Sequence, residues 1–147
     1  MHKPFELDRQ LLADTLPVGD LPMCRVLLMN DSRYPWLVLV PRRSGLVELD
    51  ALDRHDRIAV MDDVHCATGA LRRACSIDKI NLGALGNVVR QLHLHVIGRT
   101  HADRAWPAPV WGNGSAIAYP QDAASTRVST LAGYLAVTRD FRVTEGD

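Results

Sequence analysis

Two imidazoles and an amide take alternate positions in Gln91-Leu92-His93-Leu94-His95-Val96-Ile97. Leu92, Leu94 and Val96 point one way, and Gln91, His93, His95 and Ile97 point the other. That is the period of a strand with one face in a core. On an extended backbone the two imidazoles sit about 7 Å apart. Three chemistries fit the pattern. The histidines can be hydrogen-bonded core residues. As His-x-His they can supply two ligands to zinc or iron, but a third is needed, and no cysteine pair or His-x-x-Glu stands nearby. Or one imidazole is a nucleophile or base. A neutral imidazole attacks phosphorus near neutral pH if one nitrogen is free and the other is hydrogen-bonded, so that the tautomer is fixed.

A loop, Gly83-Ala84-Leu85-Gly86-Asn87, ends four residues before Gln91. It is not a Walker loop, because no Gly-Lys-Ser/Thr closes it. Its glycines still let the backbone approach an anion and aim N–H groups at it. Loop and histidine face would then converge on one phosphate, with Gly86, Asn87 and Val88 as the binding candidates. Asn87 can donate a hydrogen bond; Val88 has no hydroxyl to offer.

Gln91-Leu-His93-Leu-His95-Val-Ile resembles the signature of the histidine triad (HIT) superfamily, His-φ-His-φ-His-φ-φ with φ apolar, with Gln in place of the first His. The resemblance covers roughly residues 24 to 99, and the tail adds Trp-Pro residues seen in bacterial members. It implies a nucleotide hydrolase or transferase that works as a homodimer, two sheets joining into one. It makes His93, the match to the middle His, the nucleophile at an α-phosphate, with a nucleotidyl-imidazole intermediate that water cleaves. The substrate would be a nucleoside phosphate derivative of the dinucleoside polyphosphate or phosphoramidate type. His95 would donate to a phosphate oxygen, and the backbone carbonyl of residue 91 would hold His93. Asn30 sits where the family places a polar residue on the ribose; an ordinary turn cap is the alternative. Three positions depart from the pattern: Gln91, Trp36 where many members have His, and Asn87-Val88 where they have Gln-Ser or Gln-Thr. The scheme needs no metal and no cofactor.

The elements that must position these residues read as follows. Arg25–Met29 and Trp36–Val40 are apolar runs around the turn-forming Asn30-Asp-Ser-Arg-Tyr-Pro35, a hairpin. Leu37–Val40 is apolar on both faces, so it should be a central strand covered on both sides, ended by Pro41. A long helix follows, with Asp50 or Asp53 as N-cap. Its buried stripe is expected at Ile58, Met61, Val64, Ala67, Leu71 and Cys75, with Asp62, Asp63, Arg72 and Arg73 off the stripe and His55 and His65 as surface or packing residues. Strands at about 24–30, 36–41, 77–82 and 88–98 and a C-terminal helix at about 122–136 (Val128, Leu131, Leu135) complete the chain. Residues 1–22 stay unassigned: Leu7, Leu11 and Leu12 could begin a short helix or strand, but Pro17, Gly19 and Pro22 interrupt it. Trp106 and Trp111 should pack over the sheet edge, the pocket mouth or a partner subunit. His101 reads as a loop residue, and Thr144–Asp147 should fray. The sum is an α+β fold: an antiparallel sheet of about five strands with one long helix and a C-terminal helix. It is read as one domain over 1–147, with 100–147 a Trp/Pro-containing tail ending in that helix.

With 147 residues, 47% of them hydrophobic, the chain can bury a core. Its 17 basic and 17 acidic residues cancel, and no basic run exceeds two, so general nucleic-acid binding is not expected. No apolar run approaches membrane-spanning length, and Met1-His-Lys-Pro4 lacks the form of a signal peptide. Cys24, Cys66 and Cys75 are odd in number and lack metal spacing, which points to a reducing, cytoplasmic setting. Three classes remain: a nucleotide hydrolase or transferase, a nucleotide-binding module that has lost turnover, and a small metalloprotein using His93 and His95.

Overall fold

The computed structural model describes residues 3–138 and 140–144. Along the chain come α1 (Arg9–Asp14), β1 (Thr15–Asp20), β2 (Cys24–Met29), β3 (Trp36–Pro41), a 3₁₀ turn (Leu49–Ala51), α2 (Arg54–Ala74), β4 (Lys79–Gly83), β5 (Leu94–Arg99) and α3 (Gln121–Leu135). The strands form one antiparallel sheet in the order β1-β2-β3-β5-β4, so the fold is the expected α+β arrangement. Among the described residues no helix is long and apolar enough to cross a membrane.

β3 lies at the centre and every residue of it is buried, as its two-faced apolar run requires. One face of the sheet packs on α2 and α3. There Val26, Leu28, Leu37, Leu39, Leu92, Leu94 and Val96 meet Val60, Val64, Ala67, Leu71, Leu131 and Leu135. On the other face Leu27, Trp36, Val38, Val40 and Ile97 are covered by Leu11 of α1, by Phe5 and Leu7 before it, and by Val110 and Trp111 from the tail. The apolar surface that two helices leave open is therefore covered by the chain's own N-terminal segment and tail loop.

Three expectations need correction. The strand expected over 88–98 begins at Leu94. Its alternation still holds back to Leu92, but the N–H of Leu92 donates to Leu46 O at 3.0 Å rather than to the sheet. The buried stripe of α2 runs Val60, Asp63, Val64, Ala67, Ala70, Leu71, while Ile58 and Met61 are 46% and 49% exposed. Asp63, placed off the stripe from sequence, lies within it because its carboxylate accepts from Met23 N at 2.9 Å and Cys24 N at 2.7 Å, capping the backbone where β2 begins. Burial first, and then this neighbouring carboxylate, push the Cys24 thiol far above its ordinary range, so it is an inert core residue. The third correction is β1, left unassigned. It is an edge strand with a register shift between Pro17 and Gly19, and edge strands tolerate both residue types.

Other expectations match. Asp53 caps α2, its side chain accepting from Asp56 N at 2.8 Å. His55 and His65 are exposed. Leu11 and Leu12 fall in a helix, capped by Asp8. Of the termini, Met1, His2 and Glu145–Asp147 lie outside the described residues; of the end expected to fray, only Thr144 is described.

Asp63→Leu leaves two buried N–H groups without an acceptor, each worth about 1–3 kcal/mol. We expect a stability loss of about 2–4 kcal/mol in urea titrations, and Asp63→Asn, which keeps an acceptor oxygen, should lose much less. Equal losses would show that the charge, not the cap, matters.

Candidate functional site

His93 stands just before β5 and His95 is its second residue, and they are 7% and 6% exposed. Residue 91 has left the sheet, so its carbonyl is free to turn to the ring two residues on. His93 Nδ1 lies 2.7 Å from Gln91 O. A carbonyl only accepts, so Nδ1 carries the proton and, in the neutral ring, Nε2 keeps its lone pair. The backbone contact expected for His93 is therefore present.

The Gln91 side chain turns the other way. Its Oε1 accepts from Asp8 N at 2.8 Å and its Nε2 donates to Glu6 O at 2.9 Å. This two-point clasp fixes residues 6–8 just where Phe5 and Leu7 cover the histidine face of the sheet. One residue thus holds the N-terminal segment with its amide and His93 with its carbonyl.

His95 sits between Val38 of β3 and Gly83 of β4. The indole Nε1 of Trp36 donates to His95 Nδ1 at 3.0 Å, in a buried contact. Burial, and after it the adjacent His93, pull the His95 pKa down to about 4. Three rings surround it: His93 with centroids 4.9 Å apart, Trp111 at 5.4 Å and Trp36 at 5.6 Å, all tilted or edge-on. Trp111 needs room at Gly83, where a Cβ would come within 2.9 Å of its ring.

Trp111 reaches His95 because its loop is pinned to the end of β5. Arg99, 1% exposed, donates to both Asp103 oxygens at 2.7 and 3.0 Å, to Asn81 Oδ1 and to Ala108 O, with Tyr34 and Trp106 against its guanidinium. A buried guanidinium persists only when so fully partnered. Arg33 repeats the device, bidentate to the buried Asp31 and donating to Asn113 O at 2.6 Å. Trp106 therefore covers Arg99, and Trp111 alone of the tail tryptophans joins the histidines. His101 is exposed and stacks edge-on with Trp106, away from the histidines.

His93 opens into a narrow cleft lined also by Ala84, Gly86, Glu48 and Arg90. Gly86 has a φ of +68°, a value glycine adopts without strain, so the loop turns back beside His93 as expected. Asn87 and Val88 stand exposed on the same loop, Val88 at 90%. Asn30 is not brought to the histidines. Its Oδ1 accepts from Tyr119 N at 2.9 Å, tying the tail to the β2–β3 turn, and its side of the sheet lines a separate hollow with Leu16, Pro17 and Val128. The turn-cap alternative fits this placement. Sequence reading missed Arg90, the choice among the three places expected for Trp111, and the contact made by Trp36. Arg90 is a lone cation between the glycine loop and the histidine pair, a visible signal; the other two depend on tertiary structure.

For a metal, His93 and His95 could each offer only Nε2. Among the described residues the cluster with three convergent ligand atoms is Asp53, His55 and Asp56, at the start of α2, where Asp53 already caps the helix and Arg43 pairs with Asp56.

The family model described as HIT domain matches residues 12–102. Solved structures align over nearly the whole chain. The histidine triad protein from Bradyrhizobium japonicum is 39% identical, with 90% of this chain and 99% of that one covered at a TM-score of 0.87. A histidine triad (HIT) protein from Sinorhizobium meliloti is 42% identical over 88% and 96%, TM-score 0.86. A histidine triad protein from Marinobacter aquaeolei is 37% identical over 92% and 98%, TM-score 0.88. A search of curated proteins gave no match.

Gln91→Ala removes the clasp but leaves the carbonyl that holds His93. It should cost about 1–3 kcal/mol, two ordinary hydrogen bonds, and speed hydrogen exchange at the Asp8 amide while the His93 ring keeps its Nδ1–H tautomer. Unchanged exchange at Asp8 would show that the segment is held by its apolar contacts instead.

Proposed function

This chain belongs to the histidine triad (HIT) family, and from that premise we propose that it binds a nucleoside phosphate derivative and cleaves it at the α-phosphate through a nucleotidyl-His93 intermediate. The observation that carries this reading is the 2.7 Å contact between His93 Nδ1 and Gln91 O, which leaves Nε2 with its lone pair on a residue that lines the cleft. In the first step Nε2 bonds to the α-phosphorus and the bond to the leaving group breaks. Water then attacks the same phosphorus and releases a proton to solvent, the P–N bond breaks, and the electron pair returns to Nε2. His95 hydrogen-bonds a phosphate oxygen, and Gly86, Asn87 and the Val88 backbone hold the phosphate from the loop. Positioning and charge stabilisation are most of what such a transfer asks of a protein. Asn30 does not enter this scheme. Gln91 acts in it through its carbonyl.

A binding module without turnover is the second reading. It is favoured by Val88, which brings no hydroxyl to the phosphate, and by a Gln91 side chain committed to the N-terminal segment. The three cysteines are free thiols, which supports a reducing, cytoplasmic setting.

We further propose a homodimer joined at β4. β1, the other edge, carries a bulge and is bridged at Asp20 by Arg142. β4 pairs with β5 alone in the sheet, and Leu82 on it and Leu85 just beyond are exposed. Light scattering at micromolar concentration should give twice the chain mass; a monomer would remove the dimer.

His93→Ala should abolish turnover of an adenylylated substrate, by a factor on the order of 10³ or more, while melting temperature and nucleotide affinity change little. Turnover within tenfold of wild type would exclude His93 as the nucleophile. Nucleotide binding without turnover by the wild type would establish the module reading.

A further inference from the structure

The partner of His95 has a consequence for the kind of bond this site can break. We propose that Trp36 is a positioning residue that locks His95 as a hydrogen-bond donor unable to transfer a proton, and that it thereby restricts the substrate to phosphoric anhydrides, whose leaving group departs as an anion. This rests on the functional reading above.

An indole N–H donates and cannot accept. With Trp36 Nε1 3.0 Å from His95 Nδ1, that nitrogen must present its lone pair, so the ring's one proton sits on Nε2. To become an imidazolium, His95 would have to protonate Nδ1 and turn two N–H groups against each other in a buried place. The cage makes this harder, since His93 and Trp111 close on the ring and, among the described residues, no carboxylate is hydrogen-bonded to it to favour a positive charge. The depressed pKa of His95 agrees with that geometry. A neutral imidazole hydrogen-bonds a phosphate oxygen well, but to give up its only proton it would have to become an anion.

The leaving group is where this matters. When His93 Nε2 bonds to phosphorus and a P–O–P bridge breaks, the electron pair leaves on a phosphate oxygen. A phosphate holds its last proton with a pKa of about 6, so it departs as an anion and no proton has to move. When a P–N bond breaks with no proton supplied, the pair would leave on an amide anion, a far stronger base than any phosphate; the nitrogen departs readily only as the neutral amine, whose ammonium form has a pKa of about 10. That nitrogen must be protonated as it goes. His95 is the group beside the nucleophile, and Trp36 denies it the proton. Arg90, in the same cleft as His93, adds a positive charge suited to the departing phosphate. A histidine at position 36, which can accept as readily as donate, would lift the restriction.

The test uses the full-length wild type, Trp36→His and Trp36→Phe with diadenosine triphosphate and adenosine 5′-phosphoramidate, together with nitrogen-15 NMR of His95 at pH 7. The wild type should show a bare Nδ1 and a protonated Nε2, and should favour the anhydride by about a hundredfold or more in kcat/KM, two steps of tenfold in barrier. Trp36→His should shrink that preference about tenfold or more. Trp36→Phe, which keeps a ring but loses the donor, should mix the tautomers and lower kcat on the anhydride while KM stays within about threefold. A proton on Nδ1 in the wild type, equal or faster cleavage of the phosphoramidate, or an unchanged preference in Trp36→His would overturn the proposal. Turnover of neither compound would overturn the functional reading and the leaving-group claim together, and the nitrogen spectrum would still decide whether Trp36 holds the tautomer.

Discussion

The hydrogen bond from His93 Nδ1 to the carbonyl of Gln91 sets the terms for the rest of the site. It can form because the chain leaves the sheet before Leu94, so that a carbonyl that would otherwise face a neighbouring strand turns to a side chain of its own segment. Since the backbone makes the contact, the residue type at 91 is not bound to it. That freedom is used: the amide of Gln91 grips Glu6 and Asp8 and closes the N-terminal segment over the same sheet face.

The two histidines are set with opposite polarity. His93 meets an acceptor at Nδ1 and keeps a lone pair on Nε2, while His95 meets a donor at Nδ1 and keeps a proton on Nε2. The difference comes from the elements on which their partners stand. Trp36 begins the central strand β3, two residues before Val38, the residue opposite His95, and so on the same face. Trp111 is carried in from the tail by the buried Arg99 and its four acceptors, and a charge buried so deeply is stable only because none of its partners is missing. The geometry at His95 therefore depends on ion pairs and loop contacts spread over some eighty residues of sequence.

Much of this was legible in the chain. Period-two alternation placed Leu92, Leu94 and Val96 in one core and the histidines on the other face, and an uninterrupted apolar run marked β3 as central. What failed did so for physical reasons. Asp63 reads as a surface charge, yet its carboxylate is buried because two backbone N–H groups of Met23 and Cys24 need an acceptor. Pro17 and Gly19 read as strand breakers but sit on an edge where a missing donor and a bulge do little harm. Of the two roles open to Asn30 in the sequence, the turn tether rests on a contact with Tyr119, 89 residues on. The contacts of Trp36, Arg99 and Trp111 join residues far apart in sequence, and no local pattern announces them.

The central claim is a covalent one, and rapid quenching tests it most directly. The wild type, mixed with a nucleoside polyphosphate labelled at the α-phosphate and quenched in alkali, where phosphohistidine survives, should carry the nucleotidyl group on the peptide containing His93 when read by mass spectrometry. The adduct should form and decay at rates that account for turnover. Label on His95 or another residue, or turnover with no adduct at any time point, would contradict the account.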